Sequence, residues 1–234
     1  MKKFFNKKML ALLLAVITTA GVFTACGNTA ECETTNSDSQ QTSEYQGNTL
    51  INLGYGFEIT DVGSYTGMYM EDGSDEIVSG VLMIVVTSTS DKTLQYAKIT
   101  MPAGETDAVF ELSTLPPGES VVLLEQNRMA YDKNLGYDFA TAENVAFFQQ
   151  EPSLMEDTFK LQILDGVINV TNISDKDIDG EIVVYYKNSA TDLYYGGITY
   201  RSRVTGGLKA GEIRQVVGGH ISATGTKPMF VTVA

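Results

Sequence analysis

Residues 79–92 read SGVLMIVVTSTSDK, and residues 165–176 repeat their pattern as DGVINVTNISDK. A second shared element follows each copy, as Leu-Pro-Pro-Gly-Glu at residues 115–119 and Leu-Lys-Ala-Gly-Glu at residues 208–212. The repeat unit is about 80 residues long, which is too long for one turn of a solenoid. The sequence therefore predicts two copies of one small domain.

Both copies carry the alternation of a β-strand. Apolar and polar residues alternate in segment 168–171, and the same period of two continues in segments 182–187 and 198–204. Such alternation predicts strands with one buried face, and the Gly and Asp residues between them predict turns. Residues 140–149 are the one helical candidate, and their pattern fits a strand as well. The fold class predicted from these patterns is all-β, and short strands separated by frequent turns are typical of a sandwich.

Residues 81–86, VLMIVV, are apolar at every position. A strand of this kind is expected to be buried on both faces, so its second face needs a cover. Residues 50–67, which contribute Phe57, Ile59 and Val62, are one candidate for that cover. The contact between the two copies is the other.

Residues 1–25 have the order of a secretory signal. Four lysines within residues 2–8 precede an apolar run over residues 9–22, and such a segment is excluded from fold reasoning. The run is shorter than the ~20 residues of a membrane span. An ordinary secretory signal would be cut after Ala25 and would leave Cys26 able to pair with Cys32.

The residues that close this segment, Phe-Thr-Ala-Cys at 23–26, resemble the lipobox of bacterial lipoproteins. In that family the cysteine is lipidated and becomes the first mature residue, so the resemblance implies lipidation at Cys26. Two acyl chains give stable membrane attachment. Cys32 would then be an unpaired thiol in a linker.

Residues 26–49 are rich in Ser, Thr, Asn, Gln and Glu and offer almost nothing apolar, so we expect a disordered tether there. Without the signal, 12 basic and 29 acidic residues remain, a formal charge of −17. This charge argues against nucleic acid and against an anionic lipid surface as partners. The two cysteines lie near the anchor and cannot staple the folded part.

The order of strand, Ser-Asp-Lys turn, strand and Leu-x-x-Gly-Glu resembles the immunoglobulin-like modules of Gram-positive (Firmicutes-type) surface lipoproteins, of the FxLYD type. The resemblance covers most of residues 70–150 and 159–234, and the FxLYD signature itself is absent as written. It implies two tandem immunoglobulin-like β-sandwich domains, at residues 50–152 and 153–234, after the signal peptide and the linker. It also implies an extracytoplasmic protein with no catalysis.

Tyrosines crowd one predicted hairpin, and exposed tyrosines are enriched at binding sites. Alternation turns about half of them inward, so filling of the core is an equal alternative. The candidate ligand-binding residues are Tyr185, Tyr194, Tyr195, Tyr200 and Arg201.

Asp175, Asp177 and Asp179 precede Gly180 in the order of the first half of an EF-hand loop, and they are the candidate calcium ligands. Position 12 of such a loop is Tyr186 instead of Glu, and the flanks are strands, so a polar hairpin turn is the favoured interpretation. His220 is the one histidine of the chain, and no Gly-x-Ser-x-Gly motif accompanies it. Its counterpart in the first copy is Asn127, which suggests a shared turn. We therefore expect no catalytic residue.

The function predicted from the sequence is a non-catalytic binding or scaffolding module, held by lipid on the outer face of the bacterial cytoplasmic membrane. Its partner is expected to be an envelope protein or a glycan. The alternative is a ligand- or calcium-binding accessory module of an envelope transporter or enzyme. No cofactor is expected, and calcium is the one alternative.

Overall fold

The computed structural model describes residues 50–191 and 193–234, together with the backbone of strand Thr42–Tyr45. The predictions for residues 1–25, for Cys26 and Cys32, and for most of the tether concern residues outside this description. The described part belongs to one compact unit.

This part of the chain is all-β, as predicted, and it contains no helix. The strands of the first half are β1 (Thr42–Tyr45), β2 (Ile51–Gly54), β3 (Phe57–Met68), β4 (Ile77–Ser88), β5 (Leu94–Ala103), β6 (Thr106–Leu115), β7 (Ser120–Leu124) and β8 (Thr141–Phe147). The strands of the second half are β9 (Phe159–Leu164), β10 (Val167–Asn172), β11 (Ile182–Ala190), β12 (Leu193–Val204), β13 (Ile213–Val217) and β14 (Thr226–Val233). The ambiguous segment 140–149 is therefore a strand, β8.

The strand pairings repeat between the halves. The order β3-β4-β7 of the first half corresponds to β9-β10-β13 of the second, and β6-β5-β8 corresponds to β12-β11-β14. Each half thus has two three-stranded groups that pack face to face around a hydrophobic core. The predicted boundary at residues 152 and 153 falls between β8 and β9, and the division into two domains stays a prediction.

The Leu-x-x-Gly-Glu element forms the same turn in both halves. The Ser88 N–H donates to the Glu119 carbonyl at 2.9 Å, and the Asn172 N–H donates to the Glu212 carbonyl at 3.0 Å. Gly118 and Gly211 both have a φ of 74°, a left-handed conformation that glycine adopts without strain. This turn therefore explains the shared Gly-Glu pair. The tripeptide Met-Glu-Asp also occurs once in each half, at residues 70–72 and 155–157. It has no such common role, because the first follows β3 whereas the second precedes β9.

The long hairpin β11–β12 joins the halves. Its tip pairs in parallel with β7, Leu193 opposite Ser120 and Tyr195 opposite Val122. The group β3-β4-β7 of the first half and the group β12-β11-β14 of the second half thus belong to one eight-stranded sheet. Its order is β1-β3-β4-β7-β12-β11-β14, with β2 beside β3. The second copy is longer than the first between Ser-Asp-Lys and Leu-x-x-Gly-Glu, with residues 177–207 against 93–114. The hairpin that reaches across lies in this longer stretch.

Residues 81–86 are all buried, so the prediction of a strand covered on both faces is confirmed. Of residues 50–67, Tyr65 belongs to the cluster on the second face of this strand, but the three predicted side chains, Phe57, Ile59 and Val62, lie in the core of the first half instead. Their register explains this: Ile59 pairs with Val86, and paired residues share a face. On the other face, Leu193 and Tyr195 of β12 pack against a separate cluster, as expected for the contact between the copies.

One strand lies inside the predicted tether. Strand β1 pairs antiparallel with β3, from Thr42 opposite Thr66 to Tyr45 opposite Gly63. Ladder hydrogen bonds need backbone groups and no apolar side chain. A polar composition therefore did not reveal this strand.

Candidate functional site

A cleft of about 460 Å³ opens between the two halves. Small-molecule sites usually enclose roughly 300–1,000 Å³, so the cleft has the size of a ligand site. The first half lines it with Tyr65, Met68, Met70 and Asp75, and the second half lines it with Asn188, Ser189, Ala190, Tyr195, Gly219, His220, Ile221, Ser222 and Gly225.

Asp75 is carried by the loop between β3 and β4. The Tyr69 N–H donates to the Glu76 carbonyl at 2.7 Å and closes this loop. Asp75 has a φ of 56°, a conformation that few residues other than glycine adopt, and such residues collect at functional sites. Its Oδ1 atom is buried and has no hydrogen-bond partner among the described residues. The carboxylate therefore retains an unused acceptor beside the cleft.

His220 lies in the turn after β13, and Asn127 lies in the matching turn after β7. The imidazole Nδ1 is 3.1 Å from Asp75 Oδ2, and the ring stacks on Tyr200 with centroids 4.3 Å apart. Burial, and then the negative charge of Asp75, raise the pKa of the Tyr200 hydroxyl. That hydroxyl is buried and lacks a hydrogen-bond partner within residues 50–191 and 193–234. Asp75 and Tyr200, which both contact the imidazole of His220, thus leave one acceptor and one donor unsatisfied.

Ser222 is the serine closest to His220 in the chain. Its Oγ accepts a hydrogen bond from the Gly225 N–H at 2.9 Å, and no hydrogen bond joins it to His220 in the described part of the chain. Nucleophilic catalysis by serine needs the hydroxyl within hydrogen-bond reach of the base. Among residues 50–191 and 193–234, no serine hydroxyl is hydrogen-bonded to the His220 imidazole, which pairs with the Asp75 carboxylate.

A buried hydrogen-bond network adjoins the cleft, because Glu71 follows Met70, which lines the cleft. Glu71 accepts hydrogen bonds from the Leu124 N–H at 2.9 Å and from the Gly197 N–H at 2.7 Å. Leu124 belongs to the first half and Gly197 to the second, so one carboxylate joins β7 to β12. Burial raises the pKa of Glu71.

Lys187 is fully buried in β11. Its ammonium donates to the carbonyls of Gly196 and Gly197, both at 3.1 Å, and of Ile198, at 2.8 Å. Burial lowers the pKa of Lys187, and the charge of Glu71 opposes that shift. Two buried ionisable groups of opposite sign thus hold the same short segment of β12 from two sides.

The sequence analysis did not identify Asp75, Glu71 or Lys187. Gly196-Gly197 inside a strand was the available signal, because glycine within a strand marks a close approach of another backbone. A Cβ on Gly197 would lie 1.7 Å from the Glu111 carbonyl oxygen. The close approach is therefore real, and it is the place where both charged groups converge.

The five candidate ligand-binding residues do not form one surface. Tyr194 is 2% exposed in the core of the first half, and Tyr200 packs against the core of the second half. Tyr185 stacks on Phe230 at 4.1 Å and pairs across the strands with the exposed Arg201. Tyr195 is the one of the five that lines the cleft.

The candidate calcium ligands Asp175, Asp177 and Asp179 are exposed in the turn before β11. Asp177 Oδ1 accepts a hydrogen bond from the Ala210 N–H at 2.9 Å, as expected of a polar turn. Among residues 50–191 and 193–234, no three His, Cys, Asp or Glu side chains are grouped so that they could hold a metal ion. Nor does this part of the chain contain a helix long and apolar enough to cross a membrane.

No family model matches the chain. No curated protein matches it. Among solved structures, the crystal structure of vicilin from Corylus avellana (hazelnut) is aligned over 81% of each chain at 10% identity, with a TM-score of 0.15. A likeness at this level carries no argument about fold or function.

Proposed function

We propose that this chain is a non-catalytic binding module that holds a small ligand in the cleft between its two halves. The observation that carries the proposal is the cleft itself, which has the volume of a ligand site and takes its lining from both halves. A ligand there contacts two repeats at once, so neither repeat alone provides the site.

The chemistry of the cleft favours a ligand with a hydrogen-bond donor next to an apolar part. The Asp75 carboxylate lines the cleft, and a carboxylate accepts strong hydrogen bonds from charged N–H donors. Met68, Met70 and Tyr195 offer apolar and polarisable contacts to the rest of the molecule. A small organic amine with a hydrocarbon body meets both requirements.

The proposal includes a location and a finer fold. The basic and apolar order of residues 1–25 and the Phe-Thr-Ala-Cys sequence support a lipoprotein attached through Cys26 to the outer face of the cytoplasmic membrane. The repeated strand pairings support two immunoglobulin-like sandwiches that share one sheet. The charge of −17 without the signal suits a protein, glycan or cationic ligand better than nucleic acid.

Ligand binding is tested on the full chain in detergent. Melting temperatures are recorded with a panel of aliphatic and aromatic amines, and compounds that raise them are titrated by calorimetry. Asp75→Asn and Tyr195→Ala should each weaken binding at least about tenfold. Tyr185→Ala, on the outer face of β11, is the matched control and should leave affinity unchanged. Equal affinity for all four chains would place the ligand elsewhere and reject the cleft.

Attachment is tested separately with a labelled fatty acid in expressing bacterial cells. The wild-type chain should incorporate the label and sediment with membranes, and Cys26→Ser should do neither. Cys32→Ser is the control and should behave as wild type. Label on the Cys26→Ser chain would reject the anchor.

A further inference from the structure

Within the described part of the chain, one edge of strand β13 carries no neighbouring strand. In the three-stranded group β13-β10-β9 it is terminal, and its described partner is β10. Because the Asn172 N–H donates to the Glu212 carbonyl, and alternate residues of a strand face opposite neighbours, Arg214 and Val216 bond to β10. The backbone groups of Ile213, Gln215 and Val217 then point away from the sheet, and we call these three residues the β13 edge.

The matching edge in the first half is filled. The equivalents of Ile213 and Gln215, counted from the Leu-x-x-Gly-Glu turn, are Ser120 and Val122 of β7, and these pair in parallel with Leu193 and Tyr195. Residues 50–191 and 193–234 thus contain an occupied form of this edge and one that is unoccupied among them. The occupied form places Leu193 and Tyr195 on the outer face and Tyr194 in the core.

The β13 edge lacks the usual protection against strand addition. The sequence of strand β13, Ile-Arg-Gln-Val-Val, contains neither proline nor lysine, the residues that commonly prevent strand addition at an edge. The one charged side chain, Arg214, is turned to its own half, where it donates to Glu212 Oε1 at 2.9 Å and to the Thr205 carbonyl at 2.8 Å. Ile213 and Val217 are 61% and 78% exposed.

Side-chain hydrogen bonds connect the strands on the outer face beside this edge. A ladder of amides crosses the three strands, with Gln215 donating to Asn169 at 3.0 Å and Asn169 donating to Gln162 at 3.2 Å. An added strand would lie alongside this ladder, and its outward side chains would pack next to the amides. Ile213 on one side of the ladder and Val217 on the other offer apolar contacts.

We propose that the β13 edge takes up an extended segment of a partner protein as an added parallel strand, with large apolar side chains at alternate positions. Backbone hydrogen bonds supply the affinity in such complexes, and alternate side chains supply the specificity. The pattern Leu-Tyr-Tyr at residues 193–195 defines the chemistry, because it fills the equivalent edge of β7. This surface is distinct from the cleft, so its failure leaves the proposed ligand site standing.

The probe is a fluorescent peptide that copies residues 190–197, ATDLYYGG, titrated against the full chain. If the peptide pairs with the edge as residues 193–195 pair with β7, its first tyrosine directs its N–H to the edge and its second tyrosine does not. N-methylation of the first tyrosine should weaken binding at least about tenfold, and N-methylation of the second should change it less than about twofold. These two peptides are matched and leave the protein unaltered.

Gln215→Pro removes the central outward N–H of the β13 edge and should abolish binding of the unmodified peptide, with circular dichroism checking the fold. Absence of binding up to millimolar peptide, or equal affinity of both N-methylated peptides, would overturn the proposal. A dimer in sedimentation that Gln215→Pro dissociates would overturn it as well, because a second copy would then occupy the edge.

Discussion

The carboxylate of Glu71 accepts the backbone N–H of Gly197 at 2.7 Å, across the boundary between the two halves. The other oxygen of the same carboxylate accepts the N–H of Leu124. Glu71 therefore ties β7 of the first half to β12 of the second half from within the protein. The cleft lies beside this tie, because Met70 and Tyr195 are sequence neighbours of the network and line the cleft.

Glu71→Ala should lower the free energy of unfolding by about 2–6 kcal/mol, because it leaves two buried N–H groups without an acceptor and each costs about 1–3 kcal/mol. Urea unfolding followed by circular dichroism measures the change. Glu156→Ala is the control, since Glu156 stands in the second Met-Glu-Asp and is exposed. Equal losses in the two variants would contradict a specific role of the Glu71 hydrogen bonds.

The stability of the protein should depend on pH through Glu71. Its folded pKa is raised from 4.5 to about 7, so the folded state holds the proton more tightly than the unfolded state does. The contribution of Glu71 is present in full below about pH 4.5 and is lost as pH rises through about 7. The free energy of unfolding, measured in urea between pH 4 and 8, should fall over this window in the wild type relative to Glu71→Gln. A constant difference between the two chains would refute this assignment.

Lys187 should act in the opposite direction at higher pH. Its folded pKa is lowered from 10.5 to about 7, so its contribution is present above about pH 10.5 and is lost as pH falls through about 7. Stability should therefore rise with pH between 7 and 10 relative to Lys187→Met. Lys176→Met, at an exposed position, is the control for other groups that titrate there. If both variants follow the wild-type curve, Lys187 does not carry this dependence.

The sequence revealed the repeat because its turns demand particular residues. The glycine of Leu-x-x-Gly-Glu must adopt a positive φ, at Gly118 and again at Gly211, and a backbone demand of this kind is visible in any single chain. Alternation likewise revealed the strands, and the unbroken apolar run at residues 81–86 revealed a strand that is buried on both faces. These signals are local, and they determine the all-β class.

The site could not be predicted in the same way, because its residues come together only through pairing between the halves. Glu71 looks like a surface acid in sequence, and its burial depends on Leu124 and Gly197, which are distant in the chain. The tyrosine-rich hairpin predicted from the sequence is present as β11–β12. The alternation within it does not tell which face meets the other half, so it could not separate Tyr194 in the core from Tyr195 at the cleft.

Gly197→Ala should destabilise the protein by about 1–3 kcal/mol or more, because the added methyl group would lie 1.7 Å from the Glu111 carbonyl oxygen and the backbones must separate. Gly219→Ala is the matched control, since no atom lies within 4 Å of its added carbon. Thermal unfolding of both variants measures the effect. Equal melting temperatures would mean that β6 and β12 do not approach each other closely at Gly197.

Tyr194→Ala should cost about 3–5 kcal/mol of stability, because it removes a ring that is 2% exposed from the core of the first half. Tyr195→Ala should cost less, since its ring lies at the cleft and at the edge of the neighbouring cluster. Chemical denaturation separates the two variants, and the ligand titrations then need only Tyr195→Ala. A larger loss for Tyr195→Ala than for Tyr194→Ala would mean that the tip of the β11–β12 hairpin is reversed, with Tyr195 in the core and Tyr194 at the cleft.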